Sequence, residues 1–185
     1  MRTLSLVGLC LTAVMLAGCV PSTEPKPTPV ESSTASVTPT PDPTPSAPPV
    51  GVPVTIACAD LISAQVIYDF NPNFGLVESF DPEGSSLAAL AIQNNGIACR
   101  WINQTSGETL DVSVADLPEA NLSALRATAG TAVPDFSSDG YFATSGGVGS
   151  AQAFTGSYWI AAVSAAFFDA VDAAPIVNAA IDALG

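Results

Sequence analysis

The sequence predicts one α+β domain over residues 54–185, with an antiparallel sheet, about three to four packed helices and one disulfide. Three observations predict this class. Residues 97–103 and 109–116 alternate apolar and polar side chains around a polar turn, which is typical of a β-hairpin. Apolar side chains at helical spacing occur before and after this hairpin. Cys58 and Cys99 supply the thiols for a bridge.

Two helices are expected before the hairpin. An imperfect helical stripe of apolar side chains predicts the first helix over residues 57–70. Residues 85–93 fit two interpretations: Ser85 could cap a short helix, whereas Asn-Gly at residues 95–96 is typical of a tight hairpin turn. We favour the short helix.

The hairpin has a clear apolar face. Because strand side chains alternate, one side of it carries Ile97, Cys99, Trp101, Leu110, Val112 and Val114. We expect this face to pack into the core. Trp101 and Trp159, each beside other apolar residues in a strand, should also be core residues rather than a ligand platform.

A third helix and further strands should follow the hairpin. Asp116 and Pro118 open the helix, and Gly130 ends it. Strands are then expected over residues 141–144, 150–155 and 158–168. The last of these is almost wholly apolar, so it should be central in the sheet and covered on both faces.

A closing helix is expected at the end of the chain. Ile176, Val177, Ala180 and Ile181 fall on one side of it. Pro175 should start this helix, with Asp172 or nearby chain as its cap.

The first residues are typical of an export signal. A positive end and an apolar run of thirteen residues, 4–16, fit a secretory signal peptide over residues 1–18 better than a membrane-spanning helix, which needs about 20 apolar residues. Residues 16–19, Leu-Ala-Gly-Cys, resemble the bacterial lipobox. That resemblance implies a mature chain that begins at Cys19 and carries fatty acyl groups such as palmitate there.

Residues 19–53 have the composition of a tether. Between residues 20 and 53 lie eleven prolines, many Thr and Ser, and almost no large apolar side chains. Such a segment cannot repay the entropy of packing, so it should stay extended and solvated. At about 3.1 Å per residue it would reach at most roughly 100 Å.

Cysteine usage agrees with export. Cys10 leaves with the signal peptide and Cys19 takes the lipid, so Cys58 and Cys99 remain in the domain and should pair. Two buried free thiols are the alternative. A two-cysteine metal site is disfavoured because the chain has no histidine and no further thiol to complete a tetrahedron.

Charge and missing residue types exclude several functions. The chain has 17 acidic and 4 basic side chains, so it should repel nucleic acid. Without histidine there is no Ser-His-Asp or Cys-His machinery, and the only lysine, Lys26, lies in the tether. We therefore expect no catalytic residues, no cofactor and no enzyme activity.

Three groups of residues are weak candidates for sites. Asp69, Asn71 and Asn73 have the alternating oxygen ligands of a calcium loop, although Phe80 stands where a bidentate glutamate is needed. A polar turn is the alternative. Tyr141 and Phe142, beside a glycine-rich loop, could lie at a pocket mouth. A carboxylate pair for glycan hydrolysis could come from Glu78, Asp81 and Glu83.

Two short motifs carry a family resemblance. Cys-Ala-Asp-Leu-Ile at residues 58–62 and Gly-Ile-Ala-Cys-Arg-Trp at residues 96–101, followed by a strand at 110–114, resemble small extracytoplasmic lipoprotein domains of unknown function common in actinobacteria. The resemblance covers residues 55–185. It implies an α+β domain on a lipid tether with a disulfide between the two motif cysteines, and it supplies no catalytic residues.

These features favour a non-enzymatic module at the outer face of the cytoplasmic membrane that binds a small ligand or an envelope protein. One alternative is a hydrolase of wall glycans that uses two carboxylates. The other is a structural factor for assembly of an envelope complex.

Overall fold

The structure, a computed structural model, describes residues 50–185 and has the predicted α+β fold. The described residues form five helices, one seven-stranded antiparallel sheet and a Cys58–Cys99 disulfide. The expected signal peptide over residues 1–18, the lipidated Cys19 and most of the tether lie outside the described residues. Those three assignments stay predictions.

The sheet is built from two antiparallel meanders. The helices are α1 Cys58–Leu61, α2 Ala64–Phe70, α3 Leu87–Gln93, α4 Glu119–Arg126 and α5 Ala170–Leu184. The strands are β1 Phe74–Leu76, β2 Ile97–Asn103, β3 Thr109–Asp116, β4 Thr131–Val133, β5 Asp139–Ser145, β6 Val148–Thr155 and β7 Tyr158–Ser164. Their order in the sheet is β1-β2-β3-β7-β6-β5-β4, so the two meanders meet where β3 pairs with β7.

The hairpin and the central strand are confirmed. β2 and β3 have the predicted bounds, and Cys99 lies opposite Val112 on the apolar face. β7 is the middle strand of the seven, and its successive side chains enter two different cores. Ile160 and Trp159 are both fully buried, one on each face. The nearly continuous apolar run in β7 follows from this double coverage.

The first core lies between one face of the sheet and α1, α2 and α5. Helix α5 packs against β6, β7 and the two N-terminal helices. Fully buried side chains from all of these elements meet there, among them Leu61, Val112 and Ile176. The disulfide joins α1 to β2 across this core, with the two Cα atoms 5.6 Å apart.

The second core lies on the opposite face, under α3 and α4. Leu122 from α4 covers Trp159, whose indole N–H donates a 2.9 Å hydrogen bond to Gln152 Oε1. Gln152 Nε2 donates in turn to the carbonyl of Ala129 at 3.2 Å. The buried polar groups of Trp159 and Gln152 thus find hydrogen-bond partners within the protein, as buried polar groups generally do.

The helix before the hairpin is two helices rather than one. The chain leaves the helical conformation at Ile62, and the Ser63 side chain then accepts the Val66 N–H as the N-cap of α2. The short helix α3 is confirmed, but its cap is Ser86, which accepts the Ala89 N–H; the prediction that Ser85 caps it was wrong. The sequence predicted four helices in all, and the structure has five because the first predicted helix is divided at Ile62 and Ser63.

The closing helix begins earlier than predicted. Asp169 is its N-cap and forms a capping box with Asp172, whereas Pro175 lies inside the helix. The preceding strand ends at Ser164 instead of residue 168. The fourth helix ends at Arg126, and Gly130 follows it in a left-handed conformation with φ of 117° that leads into β4.

The domain also starts slightly earlier than residue 54. The Val52 N–H donates to the Asp116 carbonyl at 2.9 Å, so Val52 pairs with the end of β3. Gly51 is buried against the carbonyls of Asn94 and Asp116, where a Cβ would lie within 2.5 Å of both oxygens. Only a glycine fits this entry point, and residues 50–53 therefore belong partly to the domain.

Candidate functional site

A groove of about 340 Å³ lies on the sheet face that carries the second core. Four neighbouring strands form its floor, and the N-terminal end of α3 forms one wall. We call it the sheet groove, and it is lined by Ser85, Ser86, Leu87, Ala88, Asp111, Ser113, Ala143, Thr144, Ser145, Val148, Ser150, Ala161 and Val163. Its volume is at the small end of the range for ligand pockets, which suits a small ligand.

The groove occupies the end of the sheet opposite the point where the chain enters the domain. Val52 joins β3 at Asp116, whereas the groove is lined by Asp111 and Ser113 of the same strand. At about 3.4 Å per residue, Asp111 lies about 17 Å from Asp116 along β3. The α4 side of this face is sealed by Leu122 and Trp159. The groove therefore lies away from the point at which Val52 joins the sheet.

The floor of the groove combines aliphatic side chains with hydroxyl groups. Ala143, Ala161 and Val163 supply its aliphatic part, and Ser113 and Ser150 lie directly opposite Ala161 and Val163 on the neighbouring strands. The groove exists because these side chains are small, since bulkier side chains on the same strands would fill it. The hydroxyl groups come from Ser85, Ser86, Ser113, Thr144, Ser145 and Ser150.

Not all of these hydroxyls are equally free. Ser86 caps α3 and also donates from Oγ to the Glu83 carbonyl at 2.8 Å. Ser113 is buried, and its Oγ lies 3.5 Å from the Ala161 carbonyl, which is a long hydrogen bond. A ligand hydroxyl in the groove could replace this weak bond with a better one.

One charged side chain lines the groove, and it is paired. Asp111 accepts two hydrogen bonds from Arg100, at 2.6 Å from Nε to Oδ1 and 2.7 Å from Nη2 to Oδ2. The two residues are directly opposite each other on β2 and β3. The Phe80 ring covers the guanidinium, with 4.0 Å between Arg100 Cζ and the ring centroid. This geometry fixes the carboxylate at the groove wall.

The pair favours the charged form of Arg100. The hydrogen bonds that Arg100 donates to Asp111, aided by the charges of Asp111 and Glu83, raise the pKa of Arg100 although partial burial opposes this. Asp111 is 16% exposed and Arg100 35% exposed, so water screens the pair only in part. The groove wall therefore presents a carboxylate whose charge is balanced.

The aromatic candidates lie outside the groove. Tyr141 joins the second core and contacts Phe154 edge to face, with 5.7 Å between ring centroids. Burial, followed by the nearby Asp139, raises the pKa of the Tyr141 hydroxyl. Phe142 is the next residue on β5 and packs against the first core. The two rings lie on opposite faces of the sheet, and neither lines the sheet groove.

Of the calcium candidates, Asp69 lies in the last turn of α2, and Asn71 and Asn73 follow in a polar turn. Asp69 accepts a hydrogen bond from Gln65 Nε2 at 2.8 Å, and Asn71 Oδ1 accepts the Asn73 N–H at 3.0 Å. Within residues 50–185, no three His, Cys, Asp or Glu side chains cluster in a way that could hold a metal ion. These oxygens accept hydrogen bonds from the protein itself, Asp69 within the helix and Asn71 within the turn.

The carboxylates proposed for glycan hydrolysis do not meet in the groove. Glu78, Asp81 and Glu83 are all exposed and none of them lines it. Glu83 acts on the site only through its charge near Arg100. Among the residues that line the groove, Asp111 alone is acidic.

A second groove of about 400 Å³ lies between α3 and α4 and is larger than the first. Its lining is mainly alanine and leucine with two asparagines, and it includes Asn94 and Leu117 near the chain entry point. It brings no charged side chain to its wall. The sheet groove is the better candidate because its polar groups converge on an apolar floor.

The groove residues were not singled out from the sequence. They come from α3 and four strands that are distant along the chain, so spacing does not reveal them. One signal was available: Ser113 is a small polar residue between Val112 and Val114, and Ser150 lies between Gly149 and Ala151. A polar side chain at such a position often marks a gap in the packing or a site.

No helix within residues 50–185 combines the length and the apolar character that crossing a bilayer demands. No protein-family model, curated protein or solved structure matches the chain. The resemblance to actinobacterial lipoprotein domains accordingly stays a prediction.

Proposed function

We propose that the protein is an extracytoplasmic lipoprotein, held at the outer face of the cytoplasmic membrane, whose sheet groove binds a small ligand without catalysis. The observation that carries the proposal is the groove itself. Hydroxyl groups and one fixed carboxylate converge on an aliphatic floor of ligand size.

The position of the groove suits a tethered binding module. The chain enters the domain beside Asp116, at the end of β3 away from Asp111 and the groove. A lipid on Cys19 and the solvated tether after it would keep the domain near the membrane, and the groove lies away from the attachment point at Val52. A solute or an envelope component can then reach the groove without obstruction by that attachment point.

The chemistry of the groove favours binding over reaction. Its one carboxylate is held by Arg100, and the remaining polar groups are mainly hydroxyls without a nearby base. A glycoside hydrolase needs two carboxyl groups about 5 to 9 Å apart across the scissile bond. The groove lining supplies only Asp111, so nothing favours the hydrolase.

The proposal is tested by measuring whether the groove takes up a small aliphatic alcohol. We would titrate the full chain carrying Cys19→Ser, which removes the predicted acylation site, with 1-hexanol and follow ligand signals by NMR. We expect a Kd on the order of 1 mM, since small ligands gain well under about 1.5 kcal/mol per non-hydrogen atom.

A matched pair of variants locates the binding. Ser150→Phe places a ring over the groove floor and should weaken binding about tenfold or more, a loss of about 1.4 kcal/mol. Thr131→Phe is the control, because Thr131 is exposed on the edge strand β4 and does not line the groove. Equal affinity in both variants would refute the proposed function.

A further inference from the structure

We infer that the Arg100–Asp111 pair makes the sheet groove selective for uncharged ligands that carry a hydroxyl or similar hydrogen-bond donor. This inference rests on the proposed function and assigns a ligand class to the same site. Asp111 is the group that positions the ligand's polar end, and Arg100 sets the charge that this end can have.

The carboxylate has acceptor capacity left for a ligand. An ionised carboxylate offers about four lone-pair sites on its two oxygens. Arg100 Nε uses one site on Oδ1, and Nη2 uses one on Oδ2. The remaining sites belong to a side chain that lines the groove and is 16% exposed. A ligand O–H group at the wall can therefore donate to Asp111.

The same pair disfavours charged ligands. The Asp111 carboxylate would repel an anion. The Arg100 guanidinium cannot offset this repulsion, because it is already paired with Asp111 and also interacts with the charge of Glu83. A cation would lose water on the aliphatic floor while Asp111 is already neutralised, so it finds no uncompensated charge to replace its hydration. A neutral donor avoids both costs.

The Arg100–Asp111 pair is held in place firmly enough to discriminate between charged and uncharged ligands. Arg100 and Asp111 face each other across β2 and β3, strands that run through the interior of the sheet. Phe80 contacts the guanidinium from the loop between β1 and α3. Both elements fix the side chains before a ligand arrives, which is the condition for a polar group to discriminate between ligands.

Three probes of one chain length test the inference in the full chain carrying Cys19→Ser: 1-hexanol, hexanoate and hexylammonium. We expect 1-hexanol to bind at least about tenfold more tightly than either ion, since misplaced or unpaired charge in an interface costs more than that. Asp111→Asn leaves Arg100 uncompensated and should move the preference toward hexanoate. Arg100→Gln leaves Asp111 uncompensated and should move it toward hexylammonium.

The controls use the other arginine cluster. Arg126 pairs with Asp139 and Glu119 away from the groove. Arg126→Gln therefore changes the net charge by the same amount as Arg100→Gln, and Asp139→Asn by the same amount as Asp111→Asn, while the Arg100–Asp111 pair stays intact. Both should keep the preference for 1-hexanol. A preference that follows net charge alone in all four variants would overturn the inference.

The two proposals fail in different ways. Binding of the three probes with equal affinity, weakened by Ser150→Phe, would overturn the inference and leave the binding function standing. Absence of binding by every probe to the parent chain and to all variants would overturn the proposed function and the inference together. If Asp111→Asn does not fold, Arg100→Gln and the parent chain still decide the outcome.

Discussion

Reduction of the Cys58–Cys99 disulfide should remove a large part of the domain's stability. The bridge joins residues 41 apart in sequence and ties α1 to a central strand of the first core. Closing a loop of that length lowers the entropy of the unfolded chain by an amount worth about 4 kcal/mol at 25 °C. Small domains are stable by only about 5–15 kcal/mol, so the loss should be plain.

Urea unfolding of the oxidised and the dithiothreitol-reduced chain measures this effect without changing any side chain. We expect the free energy of unfolding to fall by about 4 kcal/mol and the m-value to rise, because the reduced unfolded chain exposes more surface. The Cys58→Ala, Cys99→Ala double variant should lose somewhat more, since Cys99 is 1% exposed and its truncation also leaves a cavity. A loss below about 1 kcal/mol with an unchanged m-value would refute the reasoning.

Three further outcomes are expected. Gln152→Leu leaves the buried indole N–H of Trp159 without an acceptor and should lower the free energy of unfolding by about 1–3 kcal/mol in urea, and the same substitution should cost less in a Trp159→Phe background. Tyr141 should ionise above the ordinary tyrosine pKa of about 10 in an absorbance titration, and Asp139→Asn should lower its pKa. Because that pKa is raised in the folded state, the neutral hydroxyl contributes stability below about pH 10, and the contribution is lost as pH rises through the folded-state value. Mass spectrometry should find an acylated N-terminal Cys19, and Cys19→Ala should release the chain from membranes; an unprocessed chain would contradict this.

The main elements were predictable because their signals are long or strongly periodic. The hairpin bounds followed from alternation over residues 97–116, and the central position of β7 followed from its apolar run. A strand that is buried on both faces has no polar side, so its sequence is a nearly continuous apolar run that is easy to recognise. The disulfide followed from the two thiols that remain once Cys10 and Cys19 are assigned to the predicted signal peptide and lipid anchor.

The remaining elements were missed for physical reasons. β1 and β4 have three residues each, too few for a period of two to emerge, and they form only as edges of an existing sheet. The break at Ile62 and Ser63 splits the first helix although both halves have helical spacing. Pro175 suggested a helix start, but the capping box at Asp169 and Asp172 sets the start at Ala170, and α5 continues through the proline.

The candidate site could not be assembled from the sequence. A groove depends on which side chains are small where strands from the two meanders meet, and that meeting is set by the pairing of β3 with β7. Asp111 and Arg100 were visible as charged residues in two strands, but their pairing required the register of the hairpin. Tyr141 and Phe142 were close in sequence and are separated by the sheet itself.

Backbone amide NMR of the full chain carrying Cys19→Ser during a titration with 1-hexanol tests the central claim most directly. We expect saturable shifts that concentrate on the groove lining, with the largest at Ser113, Ser150 and Ala161. Shifts centred instead on Asn94, Leu117 and Ala124, in the groove between α3 and α4, would contradict it. So would shifts spread evenly over the domain.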